Sequence, residues 1–193
     1  RAVSTQKTHS VGISAGEIAP VDLIESNGGI AKQGQVARLI AVPTGLKYGV
    51  WADLGELQDG AAKTQHLLSE IDRVHGIAGK RFCELIVPRI EQHKIRFNAV
   101  AEDFARDLCP EVCEDTGDSV PRRVLRNFAL FAFAGLLAIE HKVLPWSDAQ
   151  VFNAMRITYL RWLAEYQARQ PKTRARPSAC AWKCVVRGCW AGN

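Results

Sequence analysis

Apolar positions fall into two regimes along this chain. Through residue 58 they come in short runs broken by polar and glycine-rich links. HSVGIS (9–14) is a brief apolar run bounded by polar residues, the pattern of a buried strand. APVDLIESN (19–27) carries Val21, Leu23 and Ile24 and runs into Asn27-Gly28-Gly29. That pattern predicts a short helix with a glycine stop, since glycine takes the left-handed cap conformation without a Cβ penalty. QVARLIAV (35–42), closed by Pro43, predicts a second strand, and YGVWADL (48–54) a short edge piece.

From Asp59 the spacing becomes helical. DGAAKTQHLLSEIDRVHG (59–76) sets Ala62, Leu67, Leu68, Ile71 and Val74 near one face. IAGKRFCELIVPRIEQH (77–93) predicts a helix kinked or broken at Pro88. KIRFNAVAEDFARDLC (94–109) places Ile95, Phe97, Val100, Phe104 and Leu108 on a stripe. CEDTGDS (113–119) reads as a loop, with Ser119 as N-cap and Pro121 in the first turn of the next helix. That helix, VPRRVLRNFALFAFAGLLAIEHKV (120–143), is the most apolar segment and is expected at the centre of a bundle. Pro145-Trp146 mark a turn, Ser147 a cap, and SDAQVFNAMRITYLRWLAEYQARQ (147–170) a last long helix. The fold class expected is α+β: two to three strands within residues 1–58, then a mostly α-helical bundle over 59–170. Residues 171–193 share no stripe with what precedes them and read as an irregular basic tail rich in Cys and Trp.

Composition narrows the class without naming it. The chain has 193 residues, enough for a real core, and opens on Arg1, which reads as a fragment or processed product. Its longest apolar run, FALFAFAGLLAI (128–139), is too short to cross a bilayer, so no membrane partner and a cytoplasmic location are expected. The net charge of +5 suggests nucleic acid until it is located. Lys172, Arg174, Arg176, Lys183 and Arg187 lie in the tail, which has no acid, leaving 20 basic and 20 acidic side chains in the first 170 residues. Of the six cysteines, Cys83 reads as a small buried residue, and the tail's Cys180, Cys184 and Cys189 are one ligand short of a tetrahedral zinc site. His66 and His75 form no ligand spacing with them, so no metal site is predicted.

The glycines of GGIAKQGQVARL (28–39) invite a phosphate-binding reading and fail it. Gly29 to Gly34 has the spacing of a Walker A loop, but Gln35-Val36 stand where lysine and a hydroxyl are needed. GIAGKR (76–81) has Gly-Lys, the wrong glycine spacing and Arg81 in place of the hydroxyl. Neither G-x-S-x-G nor H-E-x-x-H occurs. Pattern alone leaves Glu17 as a helix-start acid and Arg38 as an outward strand residue.

Two motifs carry a resemblance. Ser14-Ala15-Gly16-Glu17, then Lys32-Gln33-Gly34-Gln35 with Ala37-Arg38-Leu39 before Pro43, resembles the carboxy-terminal part of the domain of unknown function 927 family. These are P-loop ATPases of phages and mobile elements, helicase-like and attached to primase modules. RRVLRNFALFAFAGLLAIEHKVLPW and the helix with Trp162-Leu163 are similar as well, so the resemblance spans about residues 1 to 170. Ala15 departs from the family's threonine, Leu136 from its acid, and the tail from its continuation.

The resemblance implies that residues 1–58 are the end of an ATPase core whose phosphate loop lies upstream. Ser14, with Lys32 and Gln35, would then contact nucleotide; Glu17 and Arg38 would be catalytic, Arg38 as a charge-stabilising arginine. ATP and magnesium belong to the full-length relative, with no cofactor expected in this chain by itself and its enzymatic status left open. DNA and the upstream segment are the expected partners, with self-association open. The alternatives are a non-enzymatic helical module binding DNA or protein, with Arg122, Arg123 and Arg126 on phosphates, or a degenerate gene remnant.

Overall fold

The computed structural model describes residues 11–13, 15–48, 50–51, 53–114 and 119–170. Among them the regular structure is helical: α1 (Pro20–Ser26), α2 (Gln33–Val36), α3 (Gly60–Arg73), α4 (Ile77–Ile86), α5 (Ile90–Leu108), α6 (Pro110–Glu114), α7 (Ser119–Glu140) and α8 (Asp148–Ala168).

The core lies where α7 packs between α5 and α8. Val120, Val124, Leu125, Phe128 and Ala129 of α7 are buried against Leu108 of α5 and Tyr159, Trp162 and Leu163 of α8. The stacked and edge-on rings of Phe128, Tyr159, Trp162 and Tyr166 run along this seam. A second cluster joins Ile86 of α4 to Phe133 and Leu137 of α7, with Phe97 and Phe104 of α5 against it.

Helix ends follow local chemistry. α1 closes in a Schellman arrangement: Gly28 has φ +76°, its N–H donates to Glu25 O, and the Gly29 N–H donates to Ile24 O, each at 3.0 Å. The glycine pair of the apparent phosphate loop is therefore a helix stop. Pro88 sits in a 3-10 turn, Val87–Arg89, that separates α4 from α5. Cys109 follows α5, and Pro110 opens α6. Ser147 caps α8, its Oγ accepting from the Gln150 N–H at 3.3 Å while the Gln150 side chain accepts from the Ser147 N–H at 2.9 Å.

The strand expectations need correction. Over 35–42 no strand forms; α2 ends at Val36 and the following residues are irregular. A β-branched run becomes a strand only where another strand satisfies its backbone, and no such neighbour exists among the described residues. Val36, Ala37, Ile40 and Val42 pack on the helical core instead. Residues 11–13 carry no regular structure, while positions 9, 10 and 14 of that expected strand lie outside the described residues. In the edge piece, of which positions 49 and 52 lie outside the described residues, the described residues form no named strand, and Tyr48 pairs with Trp51 in an antiparallel bridge.

Three burial expectations change as well. The apolar face of α3 is exposed: Leu67, Leu68, Ile71 and Val74 all reach solvent. Cys83 is exposed, because Phe82 and Ile86, four apart, take the inward positions of α4. Ile95 is exposed because it stands only two residues from Phe97, on the opposite side of α5. No helix among the described residues is long and apolar enough to cross a membrane. The tail, 171–193, lies outside the described residues.

Candidate functional site

The described motif residues lie between positions 15 and 39, a stretch laid against the bundle around Ala37 and tied to the end of α8 through Asp22. Ala37 is buried in the main cluster, with Val36 and Ile40 beside it, and this sets Arg38 on the outside of the chain next to a fixed point. Lys32 precedes α2 and is exposed. Gln35 Oε1 accepts from the Lys32 N–H at 2.9 Å and closes the start of α2. Glu17 is exposed and three residues before α1, so its acid does not belong to the helix's first turn; Asp22 does. Ser14 lies outside the described residues. No hydrogen bond or ion pair joins Glu17, Lys32 and Arg38 to one another among the described residues. The fold brings them onto one segment without assembling them into a closed constellation.

The expected phosphate-binding arginines are partly committed elsewhere. Arg122 of α7 meets Glu102 of α5 at 3.1 Å, and Arg126 lies 3.9 Å from the same carboxylate and 3.4 Å from Asn98 Oδ1. Arg123 is exposed on the same turn. One acid between two guanidinium groups lowers the local positive field that would draw a phosphate backbone. Replacing Glu102 with Gln should therefore strengthen non-specific duplex binding several-fold at low salt. The slope of log affinity against log salt should steepen by up to about 2. Fluorescence anisotropy over a salt series reads this directly, and an unchanged slope means Glu102 does not restrain these arginines.

Two features escaped the sequence patterns. Arg169, just past α8, pairs with Asp22 of α1, one guanidinium nitrogen on each carboxylate oxygen, and also with Glu165 at 3.1 Å. This fork joins segments 147 residues apart, and no local spacing announces it. The second is the corner around Trp51. Its Nε1–H donates to Thr64 Oγ1 at 3.2 Å, and Lys63 Nζ sits 5.2 Å from the ring centre. The Gly55 N–H, with help from Lys63, holds the Asp53 carboxyl below the usual carboxylate range. Tyr48, Val50, Trp51, Gly60, Ala61 and Thr64 border an open depression of about 500 Å³ there. It is shallow and gathers few polar groups, so it offers no catalytic set.

Among the described residues no group of three or more His, Cys, Asp or Glu side chains is placed to hold a metal. No family model, no curated protein and no solved structure matches this chain.

Proposed function

We propose that this chain is a carboxy-terminal portion of a helicase-like P-loop ATPase of a phage or mobile element. In its full-length form that protein would act in cytoplasmic DNA replication or remodelling. The chain would supply the elements that follow the phosphate-binding strands, together with a helical bundle. On this reading residues 1–58 are the remnant of the ATPase core that makes the fold α+β in the parent protein.

One observation carries this reading. Residues 15–42 are held to the bundle around Ala37 and through the Asp22–Arg169 pair, yet apolar side chains between residues 11 and 30 turn outward. Val11 is 75% exposed, Ile13 98% and Ile30 87%, with Ile18 and Leu23 also in solvent. Single exposed apolar residues are ordinary, but a succession of them within residues 11–30 suits a surface that another part of a core covers. Upstream strands would also give the β-branched run at 36–42 something to pair with. Arg38, exposed beside its buried neighbour, is then available to a nucleotide held by that upstream part.

The reading makes two demands. The gene must encode G-x-x-x-x-G-K-[ST] in frame upstream of Arg1, and the 193-residue chain alone must not bind an ATP analogue at micromolar concentrations. A stop codon before Arg1, or micromolar binding by the isolated chain, overturns it. In the full-length protein, Arg38→Ala should lower ATP turnover at least tenfold while nucleotide affinity changes no more than about twofold. Steady-state hydrolysis alongside analogue binding separates the two effects; a loss confined to affinity would remove Arg38 from the transition state.

A further inference from the structure

His93 and His141 come from elements 48 residues apart and meet at one end of the α5–α7 pair. His93 stands in the first turn of α5, just after the 3-10 turn at Pro88. His141 follows α7 in helical register, its N–H donating to Leu137 O at 3.0 Å. Lys142, with φ +57°, then ends the helix in a left-handed turn, so the backbone on which His141 stands is defined on both sides. The ring centres are 6.3 Å apart and the rings perpendicular. The Nε2 atoms of both are buried, and neither has a hydrogen-bond partner among the described residues.

Two orphaned ring nitrogens on neighbouring rings are costly, since a buried polar atom without a partner forfeits about 1–3 kcal/mol. They cannot simply satisfy each other, because a direct nitrogen-to-nitrogen hydrogen bond would bring the ring centres closer than 6.3 Å. We propose that His93 and His141 form a binding site for a divalent transition-metal ion, coordinated by both Nε2 atoms and completed by water. The imidazole lone pair is a borderline ligand suited to such ions and poorly suited to magnesium or calcium.

The spacing also ranks the ions. With a metal–nitrogen bond of about 2.1 Å and each ring's own radius added, two ring centres on one ion stand at most about 6.5 Å apart. The observed 6.3 Å lies near that limit, so a single ion shared by both Nε2 atoms requires a wide nitrogen–metal–nitrogen angle. A wide angle of this kind fits tetragonal Cu²⁺ or Ni²⁺, whereas tetrahedral Zn²⁺ requires the rings to close toward each other. Arg96 and Glu140, one turn along α5 and next to His141 respectively, are joined at 2.9 Å and cancel each other's charge beside the site. The bound ion would tie the start of α5 to the end of α7. This proposal does not depend on the ATPase reading.

The test uses Ni²⁺ with the 193-residue chain, its accessible thiols first blocked with iodoacetamide so that cysteine ligation does not contribute. Calorimetry should show one equivalent bound at micromolar concentrations, with Zn²⁺ weaker. His93→Gln and His141→Gln should each weaken Ni²⁺ at least tenfold, while a His66→Gln/His75→Gln double variant binds as the wild type does. Equal binding by all variants, or no binding by the wild type, overturns the proposal. If a single variant fails to fold, imidazole ¹⁵N spectra of the wild-type chain decide instead. Substoichiometric Ni²⁺ should broaden the signals of two histidines that persist unchanged in the His66/His75 variant, and broadening confined to His66 and His75 overturns the site.

Discussion

Gly135→Leu should destabilise the bundle by about 3 kcal/mol or more, the upper end of overpacking costs, because α7 and α8 touch backbone-close at this residue. A Cβ built on Gly135 would stand 2.6 Å from Val151 Cγ1, well inside van der Waals contact. The obstacle cannot swing aside freely: valine is branched at Cβ, and within a helix it holds one strongly preferred rotamer. Even Gly135→Ala pits two effects against each other. Removing a mid-helix glycine gains about 1 kcal/mol of helix propensity, while forcing the methyl against Val151 costs about 1–3 kcal/mol. The clash wins, so alanine is expected to be mildly destabilising where propensity alone predicts a gain.

A double-mutant cycle makes the contact itself the measured quantity. Val151→Ala alone loses buried methyl groups and should cost about 1–2 kcal/mol. With Gly135→Ala added, the new methyl enters the vacated space and the two effects should fall short of additivity by about 1–2 kcal/mol. Urea midpoints at constant m-value give each corner of the cycle. Strict additivity would mean that α7 and α8 do not approach as closely as the glycine requires.

Tyr159→Ala is expected to remove about 3–5 kcal/mol, in the range measured for large aromatic truncations. Tyr159 is completely buried and lies in ring contact with Phe128 at 5.6 Å and Trp162 at 5.7 Å, so its loss opens a cavity where α7 and α8 meet. Against a typical domain stability of about 5–15 kcal/mol, that loss leaves the bundle marginal. The hydroxyl contributes separately, because it donates to Pro121 O at 3.2 Å across the helix pair. Tyr159→Phe keeps the ring and should cost only about 1 kcal/mol. Thermal melts followed by far-UV circular dichroism compare the two. Equal losses would assign the residue's importance to its hydroxyl rather than its packing.

The helical half was readable because its signals are local. The break at Pro88, the cap at Ser147 and the glycine stop at Gly28 each act within a few residues, and the structure places each where the spacing does. The apolar stripe of α7 likewise identified the centre of the bundle. The motif residues were readable only as positions. Arg38 stands exposed beside buried Ala37, whereas Gln35 turned out to spend its side chain on closing α2. No pattern predicted that use, since glutamine caps and glutamine ligands look alike in a sequence.

What the sequence determined by itself, then, is where the long helices lie, where several of them stop and which of their faces are apolar, because propensity, capping and a period of 3.6 residues act within a turn or two. Tertiary structure alone decided which apolar faces are covered. The stripe of α3 is as regular as that of α5, yet Leu67, Leu68 and Ile71 face solvent while Ala101, Ala105 and Leu108 are buried. It also decided that QVARLIAV lies along helices rather than in a sheet, since a strand exists only through a neighbour's hydrogen bonds. The Arg169–Asp22 fork and the His93–His141 pair have the same origin. Contacts between residues far apart in the chain depend on how the helices pack, and that information is not held in any one of their segments.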